Sequence, residues 1–275
     1  MKKSKKSKIC IYLIFIFLVL GSLFFCKTYF SNEKKDQITK QNQNPTLTTF
    51  LKTAMEPVGQ TMYVWGGGWN EEDTGSGEET RTIGISSRWN TFFQQQDSTY
   101  NVANTQYQIH DGLDCSGYVG WVLYNVFETE NGKDGYVNFS GKMIDDCVNR
   151  GWGKKISRGN IQNYHCGDIM ANENHIFIVL GQCEDGSLLL VHSCPPGVRI
   201  CGTPTKEGSL QSQAIQIATR IMEEKYPDWY AKYSQCYVDY SYLTDYDQFC
   251  WNDTLKNKNA LEKMDVQNRM HKILE

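Results

Sequence analysis

The residues best suited to chemistry lie where Gly112-Leu113-Asp114-Cys115-Ser116-Gly117 runs into Tyr118, Val119, Trp121, Val122, Leu123, Val126 and Phe127. A cysteine is a strong nucleophile once its thiol loses a proton, and its surroundings decide whether it does. Asp114 fits the capping position of a helix whose first turn holds Cys115, and the apolar run predicts that this helix is buried. Unpaired N–H groups and the positive end of the helix dipole would then favour thiolate. Taken alone, the segment reads equally well as a helix with a small core cysteine. His175 and His192 shift that balance toward nucleophilic catalysis.

Each histidine is tied to a run that reads as a strand. Asn174-His175-Ile176-Phe177-Ile178-Val179-Leu180 precedes a Glu184-Asp185-Gly186 turn, and Ser187-Leu188-Leu189-Leu190-Val191-His192 follows it. Two β-rich runs around an acidic-Gly turn predict antiparallel neighbours. His175 opens the first and His192 closes the second, so pairing carries both to one end of the sheet. A capped Cys115 packed over that end would assemble thiol, base and orienting group, the set that nucleophilic acyl transfer uses. The expected fold class is therefore α+β, with a nucleophile helix laid on an antiparallel sheet.

Tyr63-Val64-Trp65-Gly66-Gly67, Asp114-Cys115-Ser116-Gly117, Gly167-Asp168-Ile169, Asn174-His175-Ile176 and Val191-His192 occur in that order between residues 46 and 201. In these pieces the chain resembles the NlpC/P60 cysteine peptidases, bacterial cell-wall hydrolases with a papain-like core. The resemblance implies Cys115 as nucleophile, His175 as base and His192 as third polar residue. It aligns Tyr63 with a tyrosine near the reacting carbonyl, and Asp114 and Ser116 with residues contacting the substrate's free amino end. It also implies the substrate: peptidoglycan stem peptides, cut between D-γ-glutamate and a diamino acid. The chain departs from the family in a long insert, about residues 69–111, that is acidic and Gly-rich at first and then aromatic around Trp89, Phe92, Phe93 and Tyr100. It reads either as a surface excursion or as a lid over the groove.

The ends of the chain set its address. Lys2, Lys3, Lys5, Lys6 and Lys8 precede an uncharged apolar stretch at 9–25, with Tyr29 and Phe30 beyond it. This pattern predicts a cytoplasmic segment over 1–8 and a single transmembrane signal anchor over 9–30, with the rest extracytoplasmic. No small-x-small cleavage site follows; were the segment cleaved, the protein would be secreted. Residues 31–45 read as a polar linker, and 46–275 as one catalytic domain ending in a helical and aromatic extension, about 205–275. That domain holds 19 Lys plus Arg against 29 Asp plus Glu, a net of −10, which argues against nucleic acid as a partner.

Of ten cysteines, Cys10 and Cys26 belong to the apolar N-terminal segment and Cys115 to the proposed site. Cys194-Pro195-Pro196-Gly197-Val198-Arg199-Ile200-Cys201 has a turn at its centre and predicts a Cys194–Cys201 disulfide, with Cys236–Cys250 as a second pair. No Cys-x-x-Cys and no His-Glu-x-x-His is present, so the sequence calls for no metal or other cofactor. Amphipathic helices are expected over 212–226, ended by Pro227, and over 259–274. The aromatic stretch 226–251 reads as irregular chain packed on the body. Three functions follow as expectations: a stem-peptide endopeptidase, a muramoyl-alanine amidase using the same chemistry, and a membrane-tethered scaffold without activity.

Overall fold

The computed structural model describes residues 45–275 except residue 130; the expected anchor and most of the linker lie outside them. Among the described residues no helix is long and apolar enough to cross a membrane. In chain order the helices are α1 Leu47–Met55, α2 Ser87–Gln95, α3 Cys115–Phe127, α4 Ser140–Asn149, α5 Gln213–Lys225, α6 Pro227–Lys232, α7 Lys258–Glu262 and α8 Val266–Leu274. The strands are β1 Gly153–Ile156, β2 Ile169–Ala171, β3 Ile176–Gln182, β4 Leu188–Cys194, β5 Gly197–Gly202 and β6 Asp247–Trp251. They form one antiparallel sheet in the order β1-β6-β2-β3-β4-β5. The architecture is α+β.

Alternation along the strands gives the sheet two buried faces. Ile176, Ile178, Leu180, Leu189, Val191, Val198 and Ile200 face the main core, which the helices fill. Phe177, Val179, Leu190 and Cys201 face a smaller cluster closed by Val238, Tyr242 and Tyr246. Helix α3 lies on β3 and β4, and its Tyr118, Val119, Trp121 and Val122 have no exposed surface. An all-round apolar helix can exist only when covered on every side.

Four expectations change here. The 205–275 extension supplies β6, an interior strand between β1 and β2, where irregular chain was expected. Pro227 does end α5, but it also opens α6 at its first turn, where its missing N–H costs nothing. The expected 259–274 helix is split: Asp265 accepts from the Asn268 N–H and starts α8 afresh. Buried Arg269 bonds the carbonyls of Leu261 and Met264 across that break. Finally, neither disulfide exists, and every described cysteine is free. Cys194 pairs with Gly197 and Cys201 with Leu190, which spaces the two cysteines about 13 Å apart along the ladder. A disulfide needs Cα atoms within about 7 Å. Cys250 lies on β6, while Cys236 hydrogen-bonds beside β5 at the far edge of the sheet.

The aromatic part of the insert is anchored in the core. Trp89 and Phe93 are fully buried, Trp89 meeting Trp121 edge-on at 5.8 Å and Phe93 stacking on Trp229 at 5.3 Å. Its acidic start, Glu71, Glu72 and Asp73, is exposed.

Candidate active site

Asp114 caps α3: its Oδ1 accepts from the Gly117 N–H at 2.7 Å and from the Ser116 hydroxyl at 2.8 Å. Ser116 in turn accepts from the Trp69 indole N–H at 3.0 Å, so the first residue of the insert braces the nucleophile turn. The Trp65-Gly66-Gly67 loop presses on the same turn. The Gly67 carbonyl takes the Asp114 N–H at 2.9 Å, and a Cβ on Gly67 would lie 2.6 Å from the Gly112 carbonyl oxygen. Only glycine allows that approach.

Cys115 is the first helical residue and is 8% exposed. The β3–β4 ladder opens toward this end, its registered pairs starting at Ile178–Val191, and the Ile176 backbone N–H there acts on the Cys115 thiol. Across the gap, the Ser193 hydroxyl donates to the Leu113 carbonyl at 2.6 Å. Ile176 directly follows His175 in the chain. Ahead of β3, the Asn172 side chain accepts the backbone N–H groups of Asn174 and His175, both at 2.9 Å, and so fixes where the imidazole leaves the chain. His175 Nε2 stands 3.1 Å from His192 Nδ1, so Nδ1 is the ring nitrogen that His192 does not engage.

The surroundings of the pair include residues that sequence reasoning did not single out. Tyr242 places its ring centre 5.6 Å from His175 and 5.8 Å from His192, with its hydroxyl 3.4 Å from His192 Nδ1. Tyr246 adds a second ring 6.3 Å from His175. Arg199 lies directly opposite His192 in the β4–β5 ladder and is buried. Its Nη1 bonds the carbonyls of Cys194 and Gly197, and its Nε has no partner. His192 Nε2 is likewise buried and unpaired. The dense run of tyrosines was a signal that something is covered there. Nothing local revealed that it is the histidines.

Charge in this enclosure departs from the thiolate expected at a helix start. Burial pushes the Cys115 thiol up to about 12, and the Asp114 carboxylate adds to the rise against the Ile176 and Ser116 N–H groups. Burial holds His175 down at about 4, with the Arg199 guanidinium assisting, and drives His192 well below its ordinary range for the same reasons. At neutral pH the Cys115 thiol and the His175 imidazole are therefore both uncharged. Asp114 is itself pushed up to about 6 by burial, despite the hydrogen bonds it accepts. Tyr63 lies within electrostatic reach of Cys115 and Asp114, and burial raises its phenol well above its usual range. Its backbone is fixed by the Pro196 carbonyl at 2.8 Å and by the Tyr100 hydroxyl from the insert at 2.6 Å. Trp65, by contrast, is 67% exposed.

Cys115, His175, His192, Tyr63, Asp114 and Ser116 thus converge on one end of the sheet. Asp114 and Ser116 are engaged with the helix end and Trp69, which serves capping whether or not they also meet a ligand. A thiol and an imidazole at one end of a sheet are the parts that proton transfer from sulfur would use. Among the described residues, one set of His, Cys, Asp or Glu donors converges closely enough for a metal ion: His165, Asp168 and Cys250. It stands at the opposite end of β2 from Asn172. No family model, curated protein or solved structure matches this chain.

Proposed function

We propose that the protein is a membrane-anchored, extracytoplasmic cysteine peptidase with a papain-like core that hydrolyses amide bonds in peptidoglycan stem peptides. The preferred bond is the one between D-γ-glutamate and a diamino acid. One arrangement carries the reading: α3, headed by Cys115, packs on β3 and β4, with the Ile176 N–H acting on the thiol and the neighbouring His175 held 3.1 Å from His192. The order of the quoted motifs supports the substrate class, and the lysine cluster before an apolar run supports the anchor.

His175 Nδ1 takes the thiol proton as the sulfur forms its bond to the amide carbon. The proton moves during attack, because the resting pair is neutral. The oxyanion develops beside the Cys115 backbone N–H, which heads the helix, and the Tyr63 hydroxyl. The C–N bond breaks as His175 returns its proton to the amine. Water then hydrolyses the thioester and restores the thiol. His192 bonds the outer nitrogen of His175, and this fixes tautomer and orientation rather than supplying charge. Asp114, held at about 6, is mostly ionised above that pH and would then meet the substrate's amino end as a carboxylate.

Mass spectrometry of products from purified peptidoglycan tests this. A free peptide beginning with the diamino acid is expected, with no turnover from Cys115→Ala and a 10–10³-fold loss from His192→Ala. An intact stem peptide would point to an amidase. Unchanged digestion by Cys115→Ala would remove the proposal.

A further inference from the structure

We propose that His165, Asp168 and Cys250 form a binding site for a divalent transition metal of the zinc class, separate from the Cys115 site. The three residues offer one nitrogen, one oxygen and one sulfur donor, all within 4.8 Å of one another. Cys250 lies on β6, and Asp168 immediately precedes β2, the strand beside it. Ile169 pairs with Phe249, so the next rung outward brings Asp168 across from Cys250. The third is tied to the same carboxylate: the His165 backbone N–H bonds Asp168 Oδ2 at 2.7 Å, and its ring Nδ1 stands 3.5 Å from that oxygen.

Two further features indicate an absent cation. Asp168 is 2% exposed, yet among the described residues no Lys or Arg reaches it; its one ion-pair neighbour is His165. A buried carboxylate lacking a fixed positive partner is costly. Gln248, wholly buried, donates its amide N–H to Asp168 Oδ2 at 2.5 Å, and its Oε1 is left with no partner. That buried region is thus rich in acceptors; Lys154 and Lys258 act on Cys250 electrostatically, but among the described residues neither forms an ion pair with Asp168.

A mixed imidazole, carboxylate and thiolate set suits zinc and cobalt, whereas calcium and magnesium prefer all-oxygen shells. Tetrahedral bonds of about 2.0–2.3 Å would bring the donors to within about 3.3–3.8 Å of one another, a contraction the half-exposed His165 ring can make. The fourth position falls to water on the solvent side. Binding breaks the Cys250 S–H bond, forms a sulfur–metal bond and releases one proton to solvent. The ion would fasten the loop before β2 to β6, and so brace the strand that leads into Asn172 and His175.

Titration of the chelator-treated full-length protein with Co²⁺, followed by optical absorption, tests the site. A sulfur-to-cobalt charge-transfer band saturating at one equivalent is expected, with Zn²⁺ displacing it. Cys250→Ser should abolish the band and His165→Ala should weaken binding at least tenfold, while Cys166→Ser leaves both unchanged. Zn²⁺ should also raise the thermal midpoint of the parent but not of His165→Ala. No band at millimolar Co²⁺, or a band that survives either substitution with its affinity intact, overturns the proposal.

Discussion

At Cys115 two effects oppose each other, and burial wins over the helix end. A helix start lowers a thiol when solvent and cations share the work. Here the capping group is itself a carboxylate, and the helix packs on β3 and β4. The same burial acts on the histidine with a consequence for stability. His175 titrates at 6.5 in its ordinary state and at about 4 in the fold, so between those values the unfolded chain binds the extra proton. The His175 contribution to stability then falls as pH drops from 6.5 toward 4, by about 2–3 kcal/mol at pH 4.5. Asp114 runs the other way: held at about 6 against 3.8, it gives up stability as pH rises through that window. His175→Gln should therefore lose less stability than the parent between pH 6.5 and 4.5, measured by urea unfolding. Equal losses would show that the imidazole is not held neutral by the fold. Much of this residue-level site was legible. Asp114 before Cys115, and a histidine at each outer end of one hairpin, are local signals. Arg199 and Tyr242 were not, because their place beside the histidines depends on a strand pairing and a chain return that no nearby residue announces.

At the scale of elements, the site depends on glycine contacts as much as on the helix. Gly67 brings the 63–69 loop against the nucleophile turn, where a methyl group would meet the Gly112 carbonyl oxygen. Gly67→Ala should cost about 1–3 kcal/mol and displace the Asp114 turn. Chemical denaturation gives the first quantity, and loss of peptide turnover with little change in far-UV circular dichroism reports the second. A variant of parental stability and activity would mean that the loop yields freely. The β3–β4 hairpin was readable because its turn and its apolar alternation lie in one stretch of sequence. Strand β6 was not: its partners, β1 and β2, are about 80 or more residues away in the chain, and its five residues sit inside a tyrosine-rich run. The split between α7 and α8 was concealed by a continuous apolar period, and it appears only once Asp265 is recognised as a cap.

Across the whole molecule, the insert and the C-terminal extension are parts of the core. Trp89 fills the space between α2 and α3, so Trp89→Ala should cost about 3–5 kcal/mol, seen as a lowered denaturation midpoint. A variant within 1 kcal/mol of the parent would make the insert an appendage after all. The α+β class followed from patterns that any half-buried strand or buried helix must carry. The absence of the expected disulfides could not be foreseen, since bridging depends on register rather than on spacing between cysteines. The proposed chemistry rests on one thiol. The most direct test of that chemistry is the labelling of Cys115 in the full-length protein by a stem-peptide analogue carrying a thiol-directed electrophile, followed by peptide mapping. Selective modification of Cys115 among the free cysteines is expected, slowed at least a hundredfold in His175→Ala. Modification at equal rates in both proteins, or a Cys115 that stays unlabelled while other thiols react, would contradict it.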